Sequence, residues 1–269
     1  MSAVTTLLDS LKSEGRAALI GYLPVGYPSV DESILAARAL IEAGADIIEL
    51  GIPYTDPVMD GATIQAAVEE ALAGGVRLKD VFRAVAELQD TGAPILVMTY
   101  FNPVFHYGVE RFAADLAAAG GAGLITPDLT PESAGDWIAA ADKHGLDKVF
   151  LVAPSSTEPR LRLTAEASRG FVYAASTMGV TGVRASVDDH AQELVERTYA
   201  AGAEHVCMGL GVSTATQAAE VAAYADGVIV GSAFVRPLSQ PGPFADRVAA
   251  MADVARSLAA GIATARKEN

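Results

Sequence analysis

The sequence predicts a closed barrel of eight parallel strands, each followed by a helix, and three observations lead there. Short β-branched apolar runs alternate with longer alanine-rich stretches along the whole chain. The runs are apolar on both faces, as parallel strands covered by helices are. A helix, Ala-Gly, strand junction recurs at Glu42-Ala43-Gly44-Ala45, Ala119-Gly120-Gly121 and Ala201-Gly202-Ala203, where glycine can end a helix in the left-handed region. Repeated strand–helix units of this length favour a closed barrel over an open doubly wound sheet. Such a barrel needs about 250 residues. The chain has 269, with no linker or low-complexity segment, so residues 1–269 are expected to form one catalytic domain.

Taken in order, strands are expected at Ala17–Tyr22, Ile47–Leu50, Ile95–Thr99, Gly123–Thr126, Lys148–Val152, Phe171–Ala174, Glu204–Met208 and Gly227–Val230. Between them, helical patterns cover Val30–Ala43, Lys79–Gln89, Val109–Ala118, Pro131–His144, Glu158–Ser168, Val187–Ala200 and Ala215–Tyr224, and a last helix fills Pro243–Arg266. Two further helices are predicted, an extra N-terminal one at Ala3–Ser13 and an additional one in the strand 2 connection at Thr63–Ala73.

Bulk composition narrows the function classes. The net charge of -14 opposes non-specific binding to nucleic acid and to anionic membranes. It leaves room for a small anionic substrate, because local backbone N–H groups bind phosphate whatever the global charge. Charged residues make up 19% of the chain, below the usual value of about 25%, which suits much buried helix surface and a subunit interface. Cys207, the one cysteine, lies in an apolar run and reads as a buried structural thiol, in keeping with a reducing cytoplasm. The first residues lack the order of a signal peptide, and no apolar run reaches the ~20 residues that span a bilayer.

The segment from Glu49 to Gly61 says most about chemistry. Side chains alternate along a strand, so Ile47, Glu49 and Gly51 share one face and Ile48 and Leu50 the other. If the second pair meets the helical layer, Glu49 points into the barrel, near the strand ends where barrel active sites lie. A carboxyl group held there among apolar side chains has a raised pKa, which suits proton transfer near neutral pH. Asp60 follows in a loop stiffened by Pro53 and Pro57, and that loop can present a second carboxylate at the mouth. Spacing alone also allows Glu49 to pair with a core lysine, and Asp56 and Asp60 simply to solvate a loop.

Glycine turns follow the seventh strand, at Gly209-Leu210-Gly211-Val212-Ser213-Thr214, and the eighth, at Gly231-Ser232-Ala233-Phe234. Barrel phosphate sites are often built by these two loops, because glycine lets backbone N–H groups approach an oxyanion. Ser213 and Ser232 can donate hydroxyl hydrogen bonds or cap the helices that follow. A small phosphorylated substrate is the inference. The loop after strand 6, Ser176 to Ser186, carries two glycines and reads as a lid or as an ordinary surface loop. His106, His144, His190 and His205 have no metal-ligand spacing, and no metal is expected. Arg160, Arg162 and Arg169 read as a solvated helix face, and Asp128 as a residue that holds a neighbouring loop. Tyr100 and Phe101 at the end of strand 3, and Tyr173 in strand 6, fit either a core or a flat apolar pocket.

Glu49-Leu50-Gly51-Ile52-Pro53-Tyr54-Thr55-Asp56-Pro57, continued by Asp60-Gly61-Ala62-Thr63-Ile64-Gln65, closely resembles the signature of the tryptophan synthase alpha chain family. So do Gly179-Val180-Thr181-Gly182 and Gly231-Ser232-Ala233, and the likeness runs from the first helix to the last. The resemblance implies a (β/α)8 TIM barrel with an extra N-terminal helix. It implies a lyase of tryptophan biosynthesis that cleaves indole-3-glycerol phosphate, by a retro-aldol step, to indole and glyceraldehyde 3-phosphate. It gives Glu49 as the general acid–base at indole C3 and Asp60 as the partner of the indole N–H. Tyr173 falls beside the substrate, and Thr181 on the lid threonine that closes near Asp60. Gly182, Gly211, Gly231 and Ser232 fall on the phosphate-binding positions, and Tyr22, Tyr100, Ile125 and Leu151 on pocket positions.

Two departures stand out: Tyr22 where phenylalanine is common, and Thr177-Met178 in place of an arginine-containing stretch of some members. The resemblance also implies a beta chain partner in a cytoplasmic αββα heterotetramer. The partner would carry pyridoxal phosphate, leaving this chain without a cofactor. Pro53–Asp60 and Asn102–Phe105 match the family's contact surface. A free-standing indole-glycerol-phosphate lyase and a non-catalytic barrel that binds phosphorylated metabolites are the competing readings. Indole release with and without a beta chain separates all three.

Overall fold

A computed structural model describes residues 2–175, 189–209 and 211–265. Its strands are β1 (Ala18–Pro24), β2 (Ile47–Gly51), β3 (Ile95–Met98), β4 (Gly123–Ile125), β5 (Asp147–Val149, continued by Leu151–Val152), β6 (Val172–Ala175), β7 (Val206–Gly209) and β8 (Gly227–Val230). All pair in parallel. The sheet runs from Asp147–Val149 through β4, β3, β2, β1, β8, β7 and β6 to Leu151–Val152. Its two ends are halves of one chain segment, separated at Phe150, so the sheet closes on itself. Across the seam the Tyr173 N–H donates to the Phe150 carbonyl at 3.0 Å, and Lys148 and Arg169 exchange backbone hydrogen bonds of 3.1 and 2.9 Å.

The alternation read from the sequence sorts the side chains into two cores. Leu19, Ile48, Leu50, Val97, Leu124, Phe150, Met208 and Val228 face outward and pack under the helices. Ala18, Ile20, Ile47, Leu96, Ile125, Val149, Phe171, Cys207 and Ile229 fill the barrel interior. Each such aliphatic or aromatic side chain contributes roughly 1.5–3 kcal/mol on burial.

The outer layer comprises α2 (Val30–Glu42), α3 (Ala62–Ala73), α4 (Leu78–Glu87), α5 (Phe101–Tyr107), α6 (Val109–Ala118), α7 (Gly135–His144), α8 (Glu158–Ala167), α9 (Asp189–Ala200), α10 (Ala215–Ala222), α11 (Ser232–Leu238) and α12 (Phe244–Thr264). Helix α1 (Ala3–Ser13) serves differently. Its Val4, Leu8 and Leu11 join the interior core. Asp9 meets buried His205 at 3.0 Å and Lys12 reaches Asp226 at 3.5 Å, just before β7 and β8. Helix α1 therefore stoppers the N-terminal end of the barrel, and only the C-terminal end is left as a mouth.

The helices predicted at Ala3–Ser13 and Thr63–Ala73 form within a residue of the expected bounds. Two helices were not foreseen, α5 and α11, both in stretches read as loops. At the first turn of α5 the Asp128 carboxylate accepts the Phe101 N–H, at 2.9 Å to Oδ1, which satisfies one of the free donors of the helix start. Asp128 thus holds a neighbouring loop, as read. The helix expected over Pro131–His144 is a 3-10 turn at Pro131–Ser133 followed by α7.

Candidate active site

Glu49 lies on the inner face of β2, beside Tyr22 of β1 and Leu96 of β3 in the parallel register. Its side chain is fully buried, and neither carboxyl oxygen has a hydrogen-bond partner among the described residues. No lysine among the described residues pairs with it. Burial without a compensating donor disfavours the anion, and the Glu49 pKa is pushed up to about 8. Glu49 is therefore mainly a neutral acid at pH 7, with a proton to give.

Asp60 reaches the same mouth from the loop after β2, and the fold of that loop depends on Tyr100. The Tyr100 hydroxyl accepts the Val58 and Met59 N–H groups at 3.1 and 2.9 Å and donates to Asp60 Oδ1 at 3.2 Å. Burial raises the Tyr100 hydroxyl to about 12, so it keeps its proton and the donation to Asp60 persists. Tyr54 packs on the Tyr100 ring at 5.3 Å, and the Gln65 amide donates to the Asp60 carbonyl at 2.8 Å. Partial burial raises the Asp60 pKa, and the Tyr100 hydrogen bond opposes that rise. The two carboxyl groups have opposite settings, one with no donor and one with a dedicated phenol.

Two further tyrosines enter the mouth, and glycines make room for them. The Tyr22 hydroxyl oxygen lies 2.3 Å from where a Cβ on Gly51 would stand, and the Tyr173 hydroxyl oxygen 2.3 Å from that of Gly209. No side chain fits at either position while those rings stay in place. Both phenols are held far above their ordinary pKa, first by burial and then by nearby charge, Asp60 and Glu49 for Tyr22 and Glu49 for Tyr173. Ile125 is fully buried in the interior and forms part of the floor, while Leu151 packs against the same cluster with its side chain partly exposed.

On the far side of the mouth, Gly211 takes φ +67, in the left-handed region that favours glycine. Gly231 precedes α11 with no side-chain cap, and Ser232 is the first residue of that helix. Thr214, not Ser213, caps α10, and the Ser213 and Thr214 N–H groups are already occupied by Gln217 Oε1 at 2.9 and 3.3 Å. That leaves Gly211, Gly231 and Ser232 as the candidate anion-binding positions on these loops. Thr181, Gly182 and the Thr177-Met178 departure lie outside the described residues. Among the described residues no group of three or more metal-ligating side chains converges, and no helix is long and apolar enough to cross a membrane.

Residues 8–263 match the family model described as tryptophan synthase alpha chain. The chain belongs to the tryptophan synthase alpha chain family. It is 58% identical over 262 residues to the tryptophan synthase alpha chain of Leifsonia xyli, covering 97% of this chain and 98% of the relative. It is 56% identical over 261 residues to that of Mycobacterium marinum, covering 97% and 95%. Among solved structures, a chain of Mycobacterium tuberculosis tryptophan synthase superposes with a TM-score of 0.91 at 54% identity, with 97% and 98% covered. The alpha subunit from Legionella pneumophila superposes at 0.87 with 29% identity, with 98% and 99% covered. Tryptophan synthase alpha chains are lyases of tryptophan biosynthesis, and this chain is one of these TIM barrels.

Sequence reasoning missed the seats of the tyrosines. Gly209 reads as part of a Gly-Leu-Gly turn, and Gly51 simply as an inward position beside Glu49. The available signal was a glycine on the inner face next to a strand that carries an inward tyrosine. It also missed that Tyr100 organises the Asp60 loop, because a pocket position in the family pattern says nothing about backbone donors 41 and 42 residues away.

Proposed function

We propose that this chain cleaves indole-3-glycerol phosphate to indole and glyceraldehyde 3-phosphate, with Glu49 as general acid–base and Asp60 as the anchor of the indole N–H. The observation that carries this reading is Glu49, fully buried at the floor of the mouth with no hydrogen-bond partner among the described residues, so that burial raises its pKa. Indole C3 must gain a proton before the bond to the three-carbon chain can break, because only then does the ring leave as neutral indole. Glu49 supplies that proton. As the bond breaks, its electron pair returns to the ring, and the adjacent substrate hydroxyl becomes the aldehyde carbonyl and loses its proton. The overall reaction consumes and releases no proton, so ionised Glu49 takes that one back. Asp60 accepts the indole N–H and stabilises the positive charge that builds on nitrogen when C3 is protonated.

Tyr22, Tyr100, Tyr173, Leu151 and Ile125 surround the indole in this reading. Gly211, Gly231 and Ser232, with Gly182, hold the phosphate, and Thr181 closes over Asp60. The exposed side chains of Val58 and Phe105, 72% and 65% accessible, stand beside the mouth on the β2 loop and on α5. Apolar groups so exposed suit a protein interface. The partner assigned is the beta chain, in an αββα heterotetramer, with pyridoxal phosphate on the partner alone. The whole chain acts as one catalytic domain, and the location assigned is the cytoplasm.

The test is indole release from indole-3-glycerol phosphate by the purified full chain, alone and with a beta chain. Slow release that accelerates strongly on adding the beta chain supports the proposal. Fast release with no acceleration points to a free-standing lyase. Binding of substrate with no indole under either condition overturns the catalytic reading.

A further inference from the structure

Tyr22 spans the mouth in a way its place in the family pattern does not explain. One ring edge, at Cδ1, lies 3.3 Å from where a Cβ on Gly231 would stand, at the loop assigned to phosphate. The hydroxyl at the other end fills the space over Gly51, on the strand that carries Glu49. Tyr22 and Glu49 are register partners on adjacent strands. Among the described residues the Tyr22 hydroxyl makes no hydrogen bond, and only burial and nearby charge act on it. The Tyr100 hydroxyl, by contrast, is fully engaged by Val58, Met59 and Asp60. Tyr22 therefore brings an uncommitted donor and acceptor to the carboxyl end of the mouth, and a phenylalanine would keep the ring and lose it.

We propose that the Tyr22 hydroxyl is a positioning residue that hydrogen-bonds the substrate hydroxyl on the carbon joined to indole C3. The inference rests on the reaction assigned above. The substrate's three-carbon chain must run from the phosphate loop to the carbon over Glu49, and the Tyr22 ring runs the same way. Its polar atom sits at the Glu49 end, so it meets the hydroxyl next to the breaking bond and not the one nearer the phosphate. A hydrogen bond there fixes rotation about the bond to indole C3 and keeps the hydroxyl aimed at Glu49, which must recover its proton. Orientation of this kind is a recognised source of rate.

The test compares Tyr22→Phe with the unaltered full chain on two ligands. One is indole-3-glycerol phosphate, read as kcat and KM. The other is 3-(indol-3-yl)propyl phosphate, which lacks both chain hydroxyls, read as an inhibition constant. Loss of one neutral hydrogen bond predicts a roughly 3- to 10-fold fall in kcat/KM. Binding of the deoxy ligand should be unchanged. Equal losses on both ligands would mean that Tyr22 acts through packing, and no loss on either that its hydroxyl is idle, and each result overturns the inference. The melting temperature of the variant reports separately on folding. A Glu49→Gln arm keeps the two readings apart. Full turnover in that variant sinks the acid–base assignment, whereas an inactive Glu49→Gln beside an unaffected Tyr22→Phe sinks only the role of Tyr22.

Discussion

Glutamine at position 49 keeps the shape of the side chain and removes its proton, so activity and stability should move in opposite directions. The Glu49 pKa is about 8 in the fold against 4.5 for a free carboxyl group. Because the folded value is the higher one, the contribution of Glu49 to stability is fully present below the free value. It is lost as pH rises through the folded value. At pH 7 the unfolded chain has gained from ionisation over about 2.5 pH units that the folded chain cannot use, or about 3 kcal/mol at 1.36 kcal/mol per unit. Glu49→Gln escapes that loss. Its advantage over the unaltered chain should grow by about 1.4 kcal/mol per pH unit up to pH ~8 and then level off.

Melting curves at pH 5.5, 6.5, 7.5 and 8.5 read this directly. At ~2 °C or more per kcal/mol for a chain of this size, the variant should melt roughly 6 °C higher at neutral pH. The same variant should lose about 100- to 10,000-fold in indole release, the usual worth of a general acid–base. Parallel melting profiles across pH would refute the buried, unpartnered carboxyl group. Turnover within a few-fold of the unaltered chain would refute its catalytic role.

Tyr100→Phe removes the acceptor for two backbone N–H groups and the donor to Asp60; kcat/KM should fall about 10-fold or more, and limited proteolysis should cut faster between Pro53 and Gly61. Gly51→Ala puts a methyl group 2.3 Å from the Tyr22 hydroxyl oxygen and drives the ring into the mouth. The deoxy ligand should then bind at least ~10-fold more weakly, a cost of about 1.4 kcal/mol, while far-ultraviolet circular dichroism is unchanged. Val58→Asp with Phe105→Asp places charge on two exposed apolar positions. Indole release by the chain alone should persist, and acceleration by a beta chain should be lost in a titration.

The barrel was legible because its signals are local and repeated. Alternation along β2 placed Glu49 inside, and burial of Ile48 and Leu50 under the helices bears that out. Helix α1 was legible as a helix, but its role as a stopper depends on His205 and Asp226, which meet it from the far end of the chain. The start of helix α5 was hidden, since the carboxylate that accepts its first N–H, Asp128, is 27 residues away. In the site, residue types could be read and relations could not. That Tyr22 rests on Gly51 depends on the pairing of β1 with β2, which brings together residues 29 positions apart in the chain.

The two carboxyl groups show why the mouth needs both the burial and the loop. A carboxyl group in an apolar interior keeps its proton unless something donates to it. Among the described residues Glu49 has no donor, so in the proposed reaction it is the group with a proton to deliver, and it is held on strand β2. Asp60 is half-buried, which raises its pKa, and it receives the Tyr100 hydroxyl, which opposes that rise and favours the anion that the proposed contact with an indole N–H calls for. In the proposed reaction, exchanging these settings would leave an anion facing a carbon that needs a proton and a neutral acid facing a nitrogen that becomes positive. The division of labour follows from environment, as in other paired-carboxylate sites. One phenol serves both the loop and the carboxyl group: Tyr100 shapes the loop through Val58 and Met59 and, with the same oxygen, donates to Asp60 and opposes the rise in its pKa that burial causes.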